Sequence, residues 1–280
     1  MIFRETKGTA IASLILCAFL WSSAGILIKL VSWDPFAIAG VRSLVGFLTM
    51  RIFVRKPRFT FSFNQIMAAV SYSATMILFV FANKMTTSAN AVLLQYTEPV
   101  FIVLLGRFLL KEEKTGLFDW FAIAGVFAGM ILFFLDDLSF QANTGNLLAV
   151  VSGVTFALTA IFMRRQKDER PVESFMLAHI ITFALSLPFI FKAGLPSVTS
   201  LSGLVLLGIF QMGIPSILYS RGVAGVSAIS TALITMLEPV LNPVWVVFFI
   251  GEYPSSRALW GGALILACVT VRTVFKAQKV

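Results

Sequence analysis

Ten apolar stretches divide the chain at nearly even spacing, with short polar breaks between them. Reading the breaks gives spans at 9–30, 36–54, 63–83, 89–110, 117–135, 144–163, 173–192, 201–221, 226–249 and 256–275. Asp34-Pro35 opens the second span, Arg55-Lys56-Pro57-Arg58 precedes the third, and Asp136-Asp137 ends the fifth. Arg164 to Pro171 separates the sixth from the seventh, and Gly194-Leu195-Pro196 closes the seventh; charged, proline and glycine clusters of this kind end helices. Each span has about the 20 residues needed to cross a bilayer as a helix. No connection is long enough to hold a separate catalytic domain, so whatever the protein does it does within the bundle.

The pattern repeats. SANAVLLQYTEPVFIVLLGRFLLKE, Ser88 to Glu112, is echoed by AISTALITMLEPVLNPVWVVFFIGE, Ala228 to Glu252. At this constant offset, half the chain, Leu93/Leu233, Glu98/Glu238, Pro99/Pro239, Val100/Val240, Phe108/Phe248 and Glu112/Glu252 coincide. This implies a duplicated five-helix unit, residues 1–140 and 141–280. Because five is odd, the second copy enters the membrane upside down, a recurring transporter plan with its site between the copies.

Composition agrees: 58% of residues are hydrophobic and 12% charged, with mean hydropathy +0.92, against roughly a quarter charged in soluble domains. The expected fold class is therefore an all-α integral membrane protein of ten transmembrane helices, two inverted five-helix repeats around a central cavity. The net charge of +9 sits in loops on one side of the bundle. Arg4, Lys7, Arg51, Arg55, Lys56, Arg58, Arg107, Lys111, Lys114, Arg164, Arg165, Lys167, Arg170, Arg221, Arg272, Lys276 and Lys279 fall there; Lys29, Lys84, Lys192 and Arg257 fall on the other. By the positive-inside rule both termini are cytoplasmic and the membrane is the cell membrane. The charge thus reports topology and membrane contact, not nucleic acid. The first apolar run lacks a small-residue cleavage site and is expected to be retained as a span. Cys17 and Cys268 lie in apolar segments without metal-like spacing, so no disulfide, metal or cofactor is expected.

Candidate chemistry is intramembrane. Glu98 and Glu238 each sit near mid-membrane before a proline, where carboxylates are costly and face a bundle interior or wet cavity. On the fourth span Ser88, Ala91, Gln95 and Glu98 fall within one ~80° sector at 100° per residue, and on the ninth Ala228, Thr231, Thr235, Glu238 and Asn242 do so. Cavity lining and helix–helix hydrogen bonding around a proline-freed carbonyl both suit such stripes. Arg42 has three readings: a partner of Glu98, a partner of a solute carboxylate, or a cation snorkelling to the interface. His179 reads as a packing residue. Trp21, Ser22, Tyr72, Met76, Phe156, Gln211 and Tyr219 add an aromatic, amide and thioether mixture suited to an apolar pocket with a few orienting groups. Pro215 marks a kink, and Gly125-x-x-x-Gly129 a close helix contact within the bundle.

Leu20-Trp21-Ser22, Arg42, the two Glu-Pro-Val…Glu stretches and Trp120/Trp260 together resemble the drug/metabolite transporter superfamily, in its EamA-type branch of ten-helix exporters. The resemblance spans essentially the whole chain. It implies a basket of helices around a cavity, the fifth and tenth more peripheral, and export of amino acids or related metabolites by alternating access. Other small organic cations or nucleoside-like solutes, and a passive channel, remain alternatives. Proton coupling through the glutamates and uncoupled export both stay open, and nothing calls for an oligomer. An intramembrane enzyme would need a clustered nucleophile and base or a metal set, which one histidine and two scattered cysteines do not supply.

Overall fold

A computed structural model describes residues 6–23, 31–110, 115–136, 143–241 and 255–278. All regular structure in them is helical. The elements are α1 (Lys7–Trp21), α2 (Pro35–Phe53), α3 (Phe63–Met85), α4 (Ser88–Gln95), α5 (Glu98–Leu109), α6 (Leu117–Phe134), α7 (Asn143–Arg164) and α8 (Val172–Ala193). They continue with α9 (Val198–Leu206), α10 (Ile214–Gly225), α11 (Ala228–Thr235) and α12 (Ser256–Gln278). Among the described residues eight helical stretches are long and apolar enough to cross a membrane; shorter Lys7–Trp21 and Ala228–Leu241 occupy the first and ninth places.

Helix starts reflect capping chemistry. Asp34 accepts from the Ala37 amide with Pro35 at the first helical turn, and Ser62, Thr87, Ser197 and Ser227 cap in the same way. A side-chain oxygen on an otherwise unserved amide stabilises a helix start by about 1 kcal/mol. Thr87 and Ser227 are half-related, so the repeat extends to the caps.

Three predicted spans depart from simple helices, for one reason. Proline has no N–H, so the carbonyl four residues earlier loses its donor. Before Pro99 the helix breaks between α4 and α5, with Thr97 N reaching back only three residues to the Leu94 carbonyl. Before Pro239 a turn at Met236 interrupts the ninth span. Before Pro215 the chain is π-helical over Leu207–Gly213, where the Ile214 amide binds the Ile209 carbonyl. The eighth span accordingly runs Val198–Gly225, longer than its expected 201–221. The described first helix ends at Trp21, in a turn at Ser22 and Ser23.

Packing shows the two repeats. The major pairs are α3 with α7 and α1 with α10; α2 with the π segment and α3 with α8; α4 and α5 with α7 and α1 with α11. Exchanging each span for its partner five spans later maps every one of these pairs onto its mate. The α2–α8 and α6–α12 pairs map onto themselves. Leu14, midway along α1, lies against Gly222 near the end of α10, Trp21 at its end reaches back to Gln211, and Arg164, last in α7, binds carbonyls of the Gly222 end. So α1 begins where α7 finishes: the repeats are inverted. α6 and α12 pack mainly on each other. Their approach depends on Gly129 and Gly261, where an added Cβ would stand 2.9 and 2.5 Å from the other's carbonyl oxygen. Gly125 faces Cys268 in the same seam, so the small-residue motif serves intramolecular packing.

Candidate functional site

Three proline-freed carbonyls lie where the spans break, and two of them organise a central cavity. The Gln211 carbonyl, unserved because of Pro215, accepts from the Trp21 indole N–H at 3.0 Å. The Thr235 carbonyl, unserved because of Pro239, is approached by the Tyr96 hydroxyl at 3.4 Å, and that hydroxyl also donates to Glu238 Oε2 at 2.5 Å. The third, on Gln95, faces Gly153, where an added Cβ would sit 2.6 Å away.

These contacts set the walls of a cavity with about 490 Å³ of atom-free space, its open mouth included. Trp21 comes from α1, Arg42 from α2, and Tyr72, Thr75, Met76 and Phe79 from one face of α3. Gln95 and Tyr96 come from the fourth-span break, Phe156 from α7, Gln211 and Met212 from the π segment, and Glu238 from the ninth span. The apolar side is aromatic: Trp21 and Phe156 centroids are 6.0 Å apart, Tyr72 and Phe156 6.4 Å. The polar side is held from behind. Gln95 donates to Ser152 at 2.9 Å, and Thr75 shares a hydrogen bond with Thr155 at 2.7 Å.

Charge in the wall is uneven. Arg42 is 2% exposed, and its Nη1 donates to Gln211 Oε1 at 3.1 Å. Its Nε has no partner, and no carboxylate among the described residues lies within ion-pair distance of it. Neither pairing with Glu98 nor snorkelling describes it: Gln211 holds the guanidinium in the wall. Glu238 is partly buried and bonded by Tyr96. One cavity therefore presents a cation and a carboxylate on separate helices.

The expected site residues divide in two. Trp21, Tyr72, Met76, Gln95, Phe156, Gln211 and Glu238 stand on the wall. Ser22 turns back onto the Phe19 carbonyl at 2.6 Å, and Thr235 onto those of Ala232 and Thr231 at 2.9 and 3.2 Å. Tyr219 is fully buried behind the wall, its ring 5.6 Å from Trp21 and 5.9 Å from Phe156. Glu98 is fully buried away from the wall. Asn242 lies outside the described residues. The stripe from Gln95 to Glu98 presupposed an unbroken helix; the turn at Tyr96-Thr97 rotates the remainder of the span and puts Tyr96 on the wall instead. Thr75 and Phe79 were legible in principle, being three and seven residues on from Tyr72 on one helical face. Met212 is brought in by the π segment. His179 is buried, with Nε2 3.3 Å from Ser216 Oγ, a packing position behind Tyr72. Among the described residues no three His, Cys, Asp or Glu side chains gather as a metal set.

Two inverted helical repeats around a cavity with a few convergent polar groups define a multi-pass membrane transporter. The EamA-like transporter family model matches residues 8–135 and again 143–273, and the chain belongs to that family, within the drug/metabolite transporter superfamily. It is 24% identical over 263 residues to an uncharacterized transporter of Archaeoglobus fulgidus, covering 93% of this chain and 94% of that one. It is 26% identical over 265 residues to the uncharacterized transporter YwfM of Bacillus subtilis, covering 90% and 89%. A solved crystal structure shares the fold, with TM-score 0.83 at 20% identity over 97% of this chain and 98% of the other.

Proposed function

We propose that the cavity carries small zwitterionic solutes of the amino-acid type out of the cell by alternating access. In this reading residues 1–140 and 141–280 rock about the midplane of the cytoplasmic membrane, with both termini in the cytoplasm. The observation that carries it is Arg42: a buried guanidinium in the cavity wall, oriented by Gln211 and without a carboxylate partner among the described residues. Such a cation is costly unless something neutralises it, and a solute carboxylate does so. Glu238 on the ninth span receives the solute ammonium, its position fixed by Tyr96. The aromatic side formed by Trp21, Tyr72 and Phe156 accommodates the remaining apolar part, with Met76, Gln95 and Gln211 completing the wall.

The test is transport into liposomes preloaded with amino acids, their methyl esters or quaternary amines. Amino acids should show counterflow in the wild type and lose it in Arg42→Gln, because a charge-assisted hydrogen bond contributes about 1.5–3 kcal/mol. Esters and quaternary amines should be poor substrates of both. Transport of quaternary amines that survives Arg42→Gln would replace this reading with an organic-cation carrier. Flux without counterflow would make the protein a channel.

A further inference from the structure

The two half-related glutamates have parted company. Glu238 faces the cavity and is bound by Tyr96, while Glu98 is 0% exposed and neither of its carboxylate oxygens has a hydrogen-bond partner among the described residues. α5, which Glu98 opens, packs mainly against α7 and α11. The one charged residue of α7 is Arg164, engaged with the carbonyls of Val223 and Ala224. α11 carries no charge, and the carboxylate beyond it, Glu238, is held by Tyr96. Arg42 is turned to Gln211. Tyr219's hydroxyl, too, is without a partner among the described residues, and its ring is tilted against those of Trp21 and Phe156 in the cavity wall.

An ionised carboxylate without a counter-charge, a donor or water costs several kcal/mol even after relaxation. Glu98 is therefore a neutral acid in this conformation. A structural clamp would place its O–H on an acceptor, since buried polar groups in settled parts of a protein are bonded. Glu98 has no acceptor among the described residues, so its burial, not a bond, keeps the proton on it. That is the state of a group whose partner arrives in another conformation. Inverted repeats supply that conformation: when the halves exchange shapes, Glu98 takes the cavity-facing place that Glu238 holds here.

We propose that Glu98 is a proton-binding site that stands apart from the solute contacts in the conformation seen here, loaded in this conformation and unloaded when the bundle opens at its cation-rich end. On opening, water reaches the carboxyl group, the O–H bond breaks, and the proton leaves as hydronium to that side. As the bundle closes at that end, hydronium entering from the opposite side gives its proton to the carboxylate before water is excluded, and the acid is restored. One proton thus moves against each solute, and the proton gradient drives export. The step rests on the transporter reading above and requires no co-reactant beyond water.

The experiment uses purified protein in liposomes with labelled amino acid and an imposed pH gradient. Wild type should accumulate solute against its gradient. Glu98→Gln should retain counterflow but accumulate no more than protein-free liposomes, and Glu98→Asp, which still titrates, should restore accumulation. A wild type that no pH gradient drives, or a Glu98→Gln that still accumulates, overturns the proposal. A second readout is independent of any solute. The infrared carbonyl band of a buried carboxylic acid should be present in wild type at neutral pH and lost in Glu98→Gln. If no tested solute moves but this band is present and lost as stated, the solute assignment has failed and the proton site stands. If the band is absent from wild type, the proton site has failed.

Discussion

The two ends of the bundle satisfy their polar groups differently. At the cation-rich end, charged side chains bind protein. Arg164 donates to the Val223 and Ala224 carbonyls at 3.0 and 2.7 Å, Glu173 accepts from the Arg58 amide at 2.6 Å, and Arg272 makes two bonds to Asp119 Oδ1 at 3.1 and 2.9 Å and one to Ser230 at 2.6 Å. Leu14 fills the space that Gly222 leaves. At the other end the ties are mostly neutral: Asn146 accepts from Thr86 and Asn90 at 2.7 and 2.9 Å, and Trp33 donates to the Ala193 carbonyl at 3.4 Å. The cavity leans toward this second end, with Trp21 last in α1, Arg42 in the first half of α2 and Phe79 in the second half of α3. One end is latched by charge-assisted bonds. The other leaves a cation uncompensated in a cavity.

The largest expected effect tests the latch. Asp119 and Arg272 are each 1% exposed in their side chains, and removing one member of a buried pair leaves the other uncompensated, at about 3–5 kcal/mol. Arg272→Ala should lower the thermal unfolding midpoint in detergent accordingly. A loss below about 1 kcal/mol would mean that the rest of the cation-rich end holds itself shut without this pair.

The cavity end should show the opposite balance. Arg42→Gln removes a buried cation that has one hydrogen bond and an orphaned Nε. The lost bond and the relieved desolvation oppose each other, so stability should change by less than about 1 kcal/mol while amino-acid transport is lost. Unfolding by as much as Arg272→Ala would show that Arg42 is structural and that the ends do not differ in kind.

Much of this contrast was legible in the chain. The cation asymmetry marked one end, the 140-residue echo marked the halves, and the two Glu-Pro steps marked the half-related carboxylates. Three things were not. A helical-wheel stripe assumes constant phase, and the proline-induced turn at Tyr96-Thr97 shifts it, exchanging Glu98 for Tyr96 at the wall. Arg272 reads as a loop cation by position, yet it is fully buried on Asp119, because a pair 153 residues apart in sequence leaves no local trace. The partner of Arg42 was equally hidden: Gln211 reaches it only because Pro215 forces the π segment. Periodicity reports the face of a regular helix, and this site is assembled where the helices are irregular.

The smallest expected effect gives the cleanest comparison, because it involves the same two helices. α6 and α12 are joined at one end by Asp119–Arg272. At the other, Arg257 of α12 meets Asp136, just beyond α6, with Ser255 also donating to that carboxylate at 3.2 Å. Ion types and helix pair are the same, while side-chain exposure rises from 1% to 58% for the arginine and 46% for the aspartate. In water both ions are well solvated when apart, and the long arginine loses rotamer freedom when paired, so an exposed pair contributes at most about 1 kcal/mol. Arg257→Ala should therefore lower stability by no more than about 0.5 kcal/mol, and a double-mutant cycle with Asp136→Ala should give a coupling that shrinks as salt rises to about 1 M. The Asp119–Arg272 coupling should hardly respond to salt, because ions do not enter a buried pair. Equal couplings, or equal salt dependence, would show that burial is not what separates the two ends and would return the latch to simple helix packing.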